Sequence, residues 1–419
     1  KITPKLEIMS GQSQISAQSS TESSQGPKAG FLTISVMDPV KQDQGGLNPY
    51  ISYRVNTTND FSNTKYSVIR RFRDFAWLSE RLADEFPGVF SPPLPSKETL
   101  KRFDSEHIEK RRADLERFLT KISMHEELNK SDSFLNFLKA DDQKMNEIKE
   151  EQRLQNKASN HNLQGEDIKR HFGWAMNTLK AQMGMESSPS EEKTASDLRF
   201  EYISSYISEL DEKVQNVAKH VGYLVRKQET LGSTAFDLGF SLTQLALTEK
   251  NSPHLRQILH MAGEKVDAVS IIEKLKAQKE MEALDSPINE YVKVIASIKV
   301  ALHKRQEKKL KYDFSMNEYQ SRFSAFNKFK SSGGKDEKLA SSALTVESAK
   351  MKMESAKKSF EEVDERISRE FERFKKEKDA DIRKMLKAFV MAQIECCKME
   401  DECWQQLLPS IDDLNEKYI

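Results

Sequence analysis

Apolar and polar positions change rhythm along this 419-residue chain. Short runs rich in β-branched and aromatic residues open the patterned part, at Phe31–Met37 (FLTISVM), Tyr50–Val55 (YISYRV) and Lys65–Phe72 (KYSVIRRF). Their partial alternation predicts three strands of an antiparallel meander. The segment NTTNDFSNT between the last two carries turn chemistry and predicts a hairpin. Helical spacing follows over Asp74–Glu85, Ser105–Met124 and Ser131–Lys139. The Pro-rich stretch SPPLPSK between the first two cannot be helical.

Beyond residue 190 the rhythm predicts three long helices, Glu191–Thr248, Ser252–Phe329 and Asp336–Tyr418. Pro253 suits a first helical turn, Ser331–Gly334 (SSGG) marks the last turn between helices, and Pro287 should kink the second helix. In the third helix Val346, Ala349, Met353, Ala356, Phe360, Val363 and Ile367 recur in steps of three and four. After a disturbance near Lys378 the steps resume at Ile382, Met385, Phe389, Ala392, Cys396, Met399 and Cys403. Heptads sustained this far mean coiled-coil-like packing, and the disturbance reads as a four-residue stutter. A helix of about 80 residues extends ~120 Å. Three of them need a long antiparallel bundle, completed by a second chain. The expected fold is therefore an α+β block, a three-stranded antiparallel sheet with helices, followed by an all-α three-helix coiled-coil domain.

Composition supports this division. The 66 basic and 66 acidic residues cancel, yet 32% of positions are charged and aromatics make up 8%. With a mean hydropathy of −0.70, this excludes an integral membrane protein and suits long helices with solvated faces. Zero net charge also excludes a globally basic nucleic-acid binder. Residues 1–29, rich in Ser, Gln and Gly without periodicity, are expected to form a disordered tail, and residues 143–166 a partly helical linker. The three cysteines, Cys396, Cys397 and Cys403, form no C-x-x-C pair and have no neighbouring histidine, so a metal site is not expected and a reduced cytosolic setting is. The chain opens on Lys1 without a signal-peptide apolar region, as a fragment could, and secretion has no support.

Candidate chemistry concentrates in the first block. RRFRDF (Arg70–Phe75) places arginines and an aromatic ring at a strand end; Lys97 follows the Pro-rich loop, and Arg111 lies in IEKRRADLERF. Arginine forks bind two phosphate oxygens at once, and lysine adds a point charge. Basic residues flanking a strand are usually solvated, and an aromatic such as Phe72 is by default part of the core. Over residues 167–185, Ile168, Phe172, Ala175, Met176, Leu179 and Met183 share one helical face, bordered by Trp174. Such a stripe either packs on a bundle or inserts at a lipid boundary. From Lys299 to Lys338, eleven Lys or Arg face five Asp or Glu. Lys304, Arg305, Lys308, Lys309 and Lys311 cluster in the second long helix, and Arg322, Lys328, Lys330, Lys335 and Lys338 surround the turn to the third. A charge run of this kind is a solvated face or a surface for anionic lipid.

The order RRF-x-x-F, PPLPSK, EKRRADLERF and a closing Phe134–Leu138 resembles a PX (phox homology) domain over residues 30–142. The resemblance implies a pocket for phosphatidylinositol 3-phosphate. In it Arg71 grips the 3-phosphate, Phe72 lies against the inositol ring, Lys97 approaches the 1-phosphate and Arg111 bonds the ring hydroxyls. Arg70 and Arg112 are then auxiliary surface charges. The Pro-rich loop is a pocket wall or, alternatively, an SH3 ligand. The helices of residues 191–419 resemble a BAR domain, the dimerising and curvature-reading module. The whole arrangement, amphipathic helix included, is similar to the PX-BAR sorting nexins of the retromer-associated type.

That resemblance implies a homodimer, or a heterodimer with a related nexin, peripheral on the cytosolic face of endosomes. Phe172, Trp174, Met176, Leu179, Arg322, Lys328, Lys330, Lys335 and Lys338 would contact membrane. It further implies curvature sensing or tubulation in endosome-to-Golgi retrograde transport, with retromer cargo-recognition subunits as candidate partners and no nucleic acid. No cofactor is expected. An enzyme is not expected either, since G-x-x-x-x-G-K-[ST], H-E-x-x-H and G-x-S-x-G are all absent from the chain. The rival reading is a coiled-coil scaffold or tether that acts through protein partners alone.

Overall fold

The computed structural model describes residues 32–42, 49–59, 63–95, 104–162, 194–332 and 336–415. Three strands, β1 (Leu32–Gln42), β2 (Tyr50–Asn59) and β3 (Thr64–Arg71), form an antiparallel sheet in sequence order. The sheet is the expected meander, with tighter hairpin geometry: β2 runs through much of the turn-like NTTN, pairing Asn59 with Thr64. In β1 the register with β2 shifts between Met37 and Val40. There Asp38 takes a φ of 52°, and Pro39 has no N–H for the ladder. Helices α1 (Phe72–Glu85), α2 (Ser105–Met124) and α3 (Asp132–Lys139) cover the sheet, and α4 (Asp142–Asn162) occupies most of the expected linker. The inward faces of the strands supply Ile34, Val36, Tyr53, Val55 and Val68 to one core with Phe75, Leu78, Leu115, Phe118, Phe134 and Phe137.

The bundle consists of α5 (Ala195–Thr248), α6 (Pro253–Glu280), α7 (Ser286–Ser331) and α8 (Asp336–Asn415). Between α6 and α7 lies a π-helical turn, Met281–Asp285. It is the irregularity expected from Pro287: the ring removes one donor from the ladder, and a wider turn absorbs the loss. The α8 seam follows the heptads, with Ala349, Ala356, Val363, Ile367, Met385, Ala392 and Cys396 all buried. Past Ile367 it continues through buried Glu370 and Phe374. Three successive four-residue steps, Glu370 to Phe374 to Lys378 to Ile382, then mark the expected disturbance. Lys378 is held at that step beside Tyr206, with its Nζ 5.9 Å from the ring centroid. At the far end α5 and α6 approach so closely that a Cβ on Gly239 would lie 2.8 Å from the Gly263 carbonyl.

The sheet block is docked on the bundle. Phe90, from the segment after α1, is buried in the bundle's own core and meets Phe374 edge-on, with centroids 6.4 Å apart. Gly88, at φ +94°, lets the chain pass where a Cβ would stand 3.0 Å from the Val363 carbonyl. Around Phe90 the buried Glu370 carboxylate accepts from the Phe90 N–H at 3.0 Å, His125 Nε2 at 3.2 Å and Arg373 at 2.7 Å. His125 Nδ1 accepts from the Glu127 and Leu128 N–H groups, so the ring proton sits on Nε2 and points at Glu370. These donors outweigh desolvation and hold the Glu370 carboxyl below its usual pKa. Arg366 adds a bond to the Pro87 carbonyl at 2.8 Å and, with Arg369, grips Glu127.

Truncating the wedge opens a cavity between the two halves. Phe90→Ala is expected to cost about 3–5 kcal/mol of docking energy. Hydrogen exchange should then rise in residues 286–302 and 365–374 while the sheet keeps its protection.

A second consequence concerns Glu273 on α6. Burial, reinforced by Glu400 and Glu280, pushes its carboxyl pKa up, so the charged form is disfavoured in the fold. The penalty is full above the folded pKa and is relieved as pH falls through it towards the usual glutamate value. Glu273→Gln should therefore raise the thermal midpoint at pH 7, and that gain should shrink in melts run at steadily lower pH.

Candidate functional site

The hairpin register and the start of α1 place Arg71. It is the last residue of β3 and caps α1 in an extended conformation, with φ −104° and ψ 162°. Its N–H donates to Asp74 Oδ2 at 2.8 Å. Asp74, three residues into the helix, satisfies an orphan donor and suits the positive helix end. Lys149 of α4 binds the other Asp74 oxygen at 2.5 Å. The Arg71 side chain is 42% exposed, with its guanidinium 3.8 Å from Asp74 and 5.5 Å from the centroid of Tyr50.

Phe72, the next residue, packs half-buried against the sheet core. The Arg111 guanidinium of α2 lies 5.2 Å from its ring centroid. Tyr53 is beneath: burial raises its hydroxyl pKa, and the charge of Arg111 partly offsets this. Two guanidinium groups from separate elements thus flank two aromatic rings at the mouth of the sheet. This is an arrangement for an anionic ligand with a ring to stack. Tyr50 was missed by sequence reasoning; the signal was its place at the head of β2, next to the Ser52–Arg71 pair of the hairpin. Lys97 lies outside the described residues, as do Phe172, Trp174, Met176, Leu179 and Lys335.

Two expectations for neighbouring arginines are corrected. Arg70 is 1% exposed, not a surface charge. Its Nε donates to the Phe137 carbonyl at 3.0 Å, Nη1 to the Ile69 carbonyl at 2.9 Å and Nη2 to the Ala140 carbonyl. It satisfies carbonyls at the end of α3, where a cation also meets the helix dipole. Arg112 is likewise engaged, bonding the Val36 carbonyl, Glu109 and Glu116.

The basic run of α7 also divides. Arg305 is 1% exposed and lies between Phe200 and Phe360, with its guanidinium carbon 4.1 and 4.9 Å from their centroids. Its Nε donates to Asp364 at 2.5 Å, and Nη2 to Ser196 at 2.9 Å. Lys309 pairs with Asp197, and Lys304 reaches Asp84 at 3.9 Å. Arg305 and Lys309 thus tie α7 to its neighbours in the bundle, while Lys304 faces α1 of the sheet block. Lys328, Lys330 and Lys338 at the tip are exposed, and exposed Arg322 pairs with Glu318.

The opposite end of the bundle exposes apolar side chains. On α5 these include Leu231, Phe236, Leu238, Phe240 and Leu247, and on α8 Val390, Met391, Ile394, Trp404 and Leu408. An exposed apolar surface of this density marks an interaction face.

A sequence model described as "PX domain" matches residues 58–141, and one described as "Vps5 C terminal like" matches residues 175–410. Sorting nexin 1 of Arabidopsis thaliana is 30% identical over 388 residues, covering 91% of this chain and 93% of its own. The chain belongs to the PX-BAR sorting nexins. Sorting nexin-30 of Xenopus tropicalis is 24% identical over 92% of the chain and 77% of its own length. The cryo-EM structure of the SNX-BAR Mvp1 tetramer shares the fold, with a TM-score of 0.54 at 15% identity over 90% of this chain and all of that one. This sorting nexin therefore joins a PX domain, a phosphoinositide-binding and peripheral membrane module, to a BAR-like dimerisation domain. Among its described residues no helix is long and apolar enough to cross a membrane.

The adjacent arginines should separate in experiment. Arg70→Ala leaves buried carbonyls without a donor and is expected to destabilise the PX domain by on the order of 3 kcal/mol. Arg71→Ala, at an exposed position, should shift stability by no more than about 0.5 kcal/mol. Urea unfolding followed through Trp77 fluorescence distinguishes them.

Proposed function

We propose that this sorting nexin recognises phosphatidylinositol 3-phosphate on endosomal membranes and senses or induces curvature in endosome-to-Golgi retrograde transport. The observation that carries the reading is that the Arg71 guanidinium lies over Tyr50 and that of Arg111 over Phe72, the residue that follows Arg71. Arg71 grips the 3-phosphate, Phe72 supports the inositol ring, Arg111 bonds its hydroxyls, and Lys97 approaches the 1-phosphate. Tyr50, stacked on Arg71, holds that guanidinium in place. Supporting the dimer is the apolar end of the bundle, on the C-terminal halves of α5 and α8. A second copy, or a related nexin, covers it. Exposed Arg322, Lys328 and Lys330 on α7, with Lys338 and Lys335 beyond the turn, face the anionic leaflet. Phe172, Trp174, Met176 and Leu179 of the amphipathic segment enter its boundary. Retromer cargo-recognition subunits are the proposed protein partners.

The mechanism is summation. One headgroup pocket binds weakly, whereas a dimer presents two pockets and two basic tips to one surface, and the second contact is effectively intramolecular. Each basic residue near an anionic leaflet contributes about 1 kcal/mol.

Vesicle sedimentation tests the reading. Binding should require phosphatidylinositol 3-phosphate, favour small vesicles, and fall at least tenfold in Arg71→Ala with the fold intact. Binding by Arg71→Ala equal to wild type would reject the pocket and leave a protein-only scaffold or tether as the better account. Leu408→Asp should turn the dimer into a monomer in sedimentation equilibrium and weaken vesicle binding without touching the pocket.

A further inference from the structure

Between the PX domain and the bundle lies a cavity of 440 Å³, walled by α2, by Pro93–Pro95 and by the start of α7. On α2, Lys110, Asp114, Arg117 and Lys121 follow one another in steps of four, three and four, and so share one face. The facing wall carries Asn289, Glu290 and Lys293 of α7. Five cations, Lys110, Arg111, Arg117, Lys121 and Lys293, meet three carboxylates there, Asp114, Asp285 and Glu290. The carboxylates are unevenly committed. Glu290 accepts from Arg117 at 3.0 Å and Lys121 at 2.6 Å, and Asp114 binds Arg117 at 3.1 Å. Asp285 stands towards α5, where it also borders a separate cavity with Lys219 and Arg226. Lys110 and Lys293 have no ion pair among the described residues and rise from opposite walls. Around Glu290 the positive surroundings lower its carboxyl pKa in spite of burial.

We propose that this junction is a second anion site, which takes a multiply phosphorylated inositol ring between α2 of the PX domain and α7 of the bundle. Its volume falls within the ~300–1,000 Å³ usual for small-molecule sites, and clefts between domains favour such sites. Lys110 and Lys293 bind phosphates from the two walls, and Arg111 lies between this cavity and the headgroup pocket. Arg117 and Lys121 are held at the rim by Glu290, which docks the domains when no ligand is bound. A ligand spanning the walls adds to that docking and stiffens the angle between pocket and bundle. The inference stands on the cavity's own residues and borders the proposed headgroup pocket only through Arg111.

The probe is soluble inositol hexakisphosphate, titrated calorimetrically into the full-length protein. One ring per protomer is expected, with a higher melting temperature. Lys293→Glu should weaken this binding at least tenfold while leaving sedimentation with phosphatidylinositol 3-phosphate vesicles within twofold of wild type. Arg71→Ala should do the reverse. Lys110→Ala and Lys293→Ala, both at solvent-accessible positions, repeat the test with a smaller perturbation. Unchanged hexakisphosphate binding in all three lysine variants overturns the proposal. So does loss of both ligands in Arg71→Ala, which would mean one site only. The source of the ligand is read from Arg71→Ala on vesicles of phosphatidylinositol 4,5-bisphosphate. Sedimentation that depends on Lys293 names a lipid headgroup as the source, and hexakisphosphate binding without sedimentation names a free inositol phosphate.

Discussion

The insertion of Phe90 into the bundle, with Glu370 bonded behind it, fixes where everything else in this protein can be. A carboxylate buried to 6% exposure survives only with its lone pairs filled, and here the partners come from both sides of the junction. His125 and the Phe90 N–H belong to the PX domain, and Arg373 to the helix that carries Glu370. Neither half can satisfy the group alone. The phenyl ring adds apolar burial, and the left-handed Gly88 gives the chain the path by which the ring arrives. The PX domain is therefore packed directly on the bundle, not hung from a linker.

Much of this architecture was legible because it is periodic. The heptads of α8 named its inward face, with half of the named positions buried and the rest half-buried, but not Phe371, Phe374 or Leu407. The disturbance at Lys378 falls where three successive four-residue steps run from Glu370 to Ile382. The strands were legible from alternation and the PX domain from three ordered motifs. Arg70 and Arg305 were misread through charge, although period alone placed both inside. Val68 and Arg70 lie two apart on β3, hence on one face, and Ile298, Leu302 and Arg305 step along the buried side of α7. At such positions the surroundings supply carbonyls, carboxylates and aromatic faces, and a guanidinium can satisfy all three. What the chain could not disclose was the junction. His125 and Glu370 stand 245 positions apart, and no local pattern links them.

The bundle divides by function along its length. In its middle, α5, α7 and α8 share a core of Ile203, Ile207, Ile295, Ile298, Val363 and Phe371, and the PX domain rests there. Beyond Arg305, where α5 begins, α7 and α8 alone continue among the described residues, held by contacts such as Tyr312 stacked on Phe360 at 6.1 Å. A two-helix arm has little apolar surface to bury, which is why charge dominates the tip. At the other end three helices converge around the close approach of Gly239 and Gly263, and their outer apolar side chains exceed what one protomer can cover.

Summation across a membrane depends on the rigidity that Phe90 and Glu370 impose. Were the PX domain tethered loosely, each pocket could find a headgroup on any surface, and a flat vesicle would serve as well as a curved one. With both pockets fixed to a dimeric body, simultaneous engagement demands that the surface match their separation and tilt, and effective concentration collapses where it does not. The same geometry gives weight to the cations left between α2 and α7. Glu290 pairs with Arg117 and Lys121 across that junction, so under the proposed function an anion admitted beside it would act where lipid recognition is tied to shape selection. On the proposed function, curvature preference is a property of the junction as much as of the bundle.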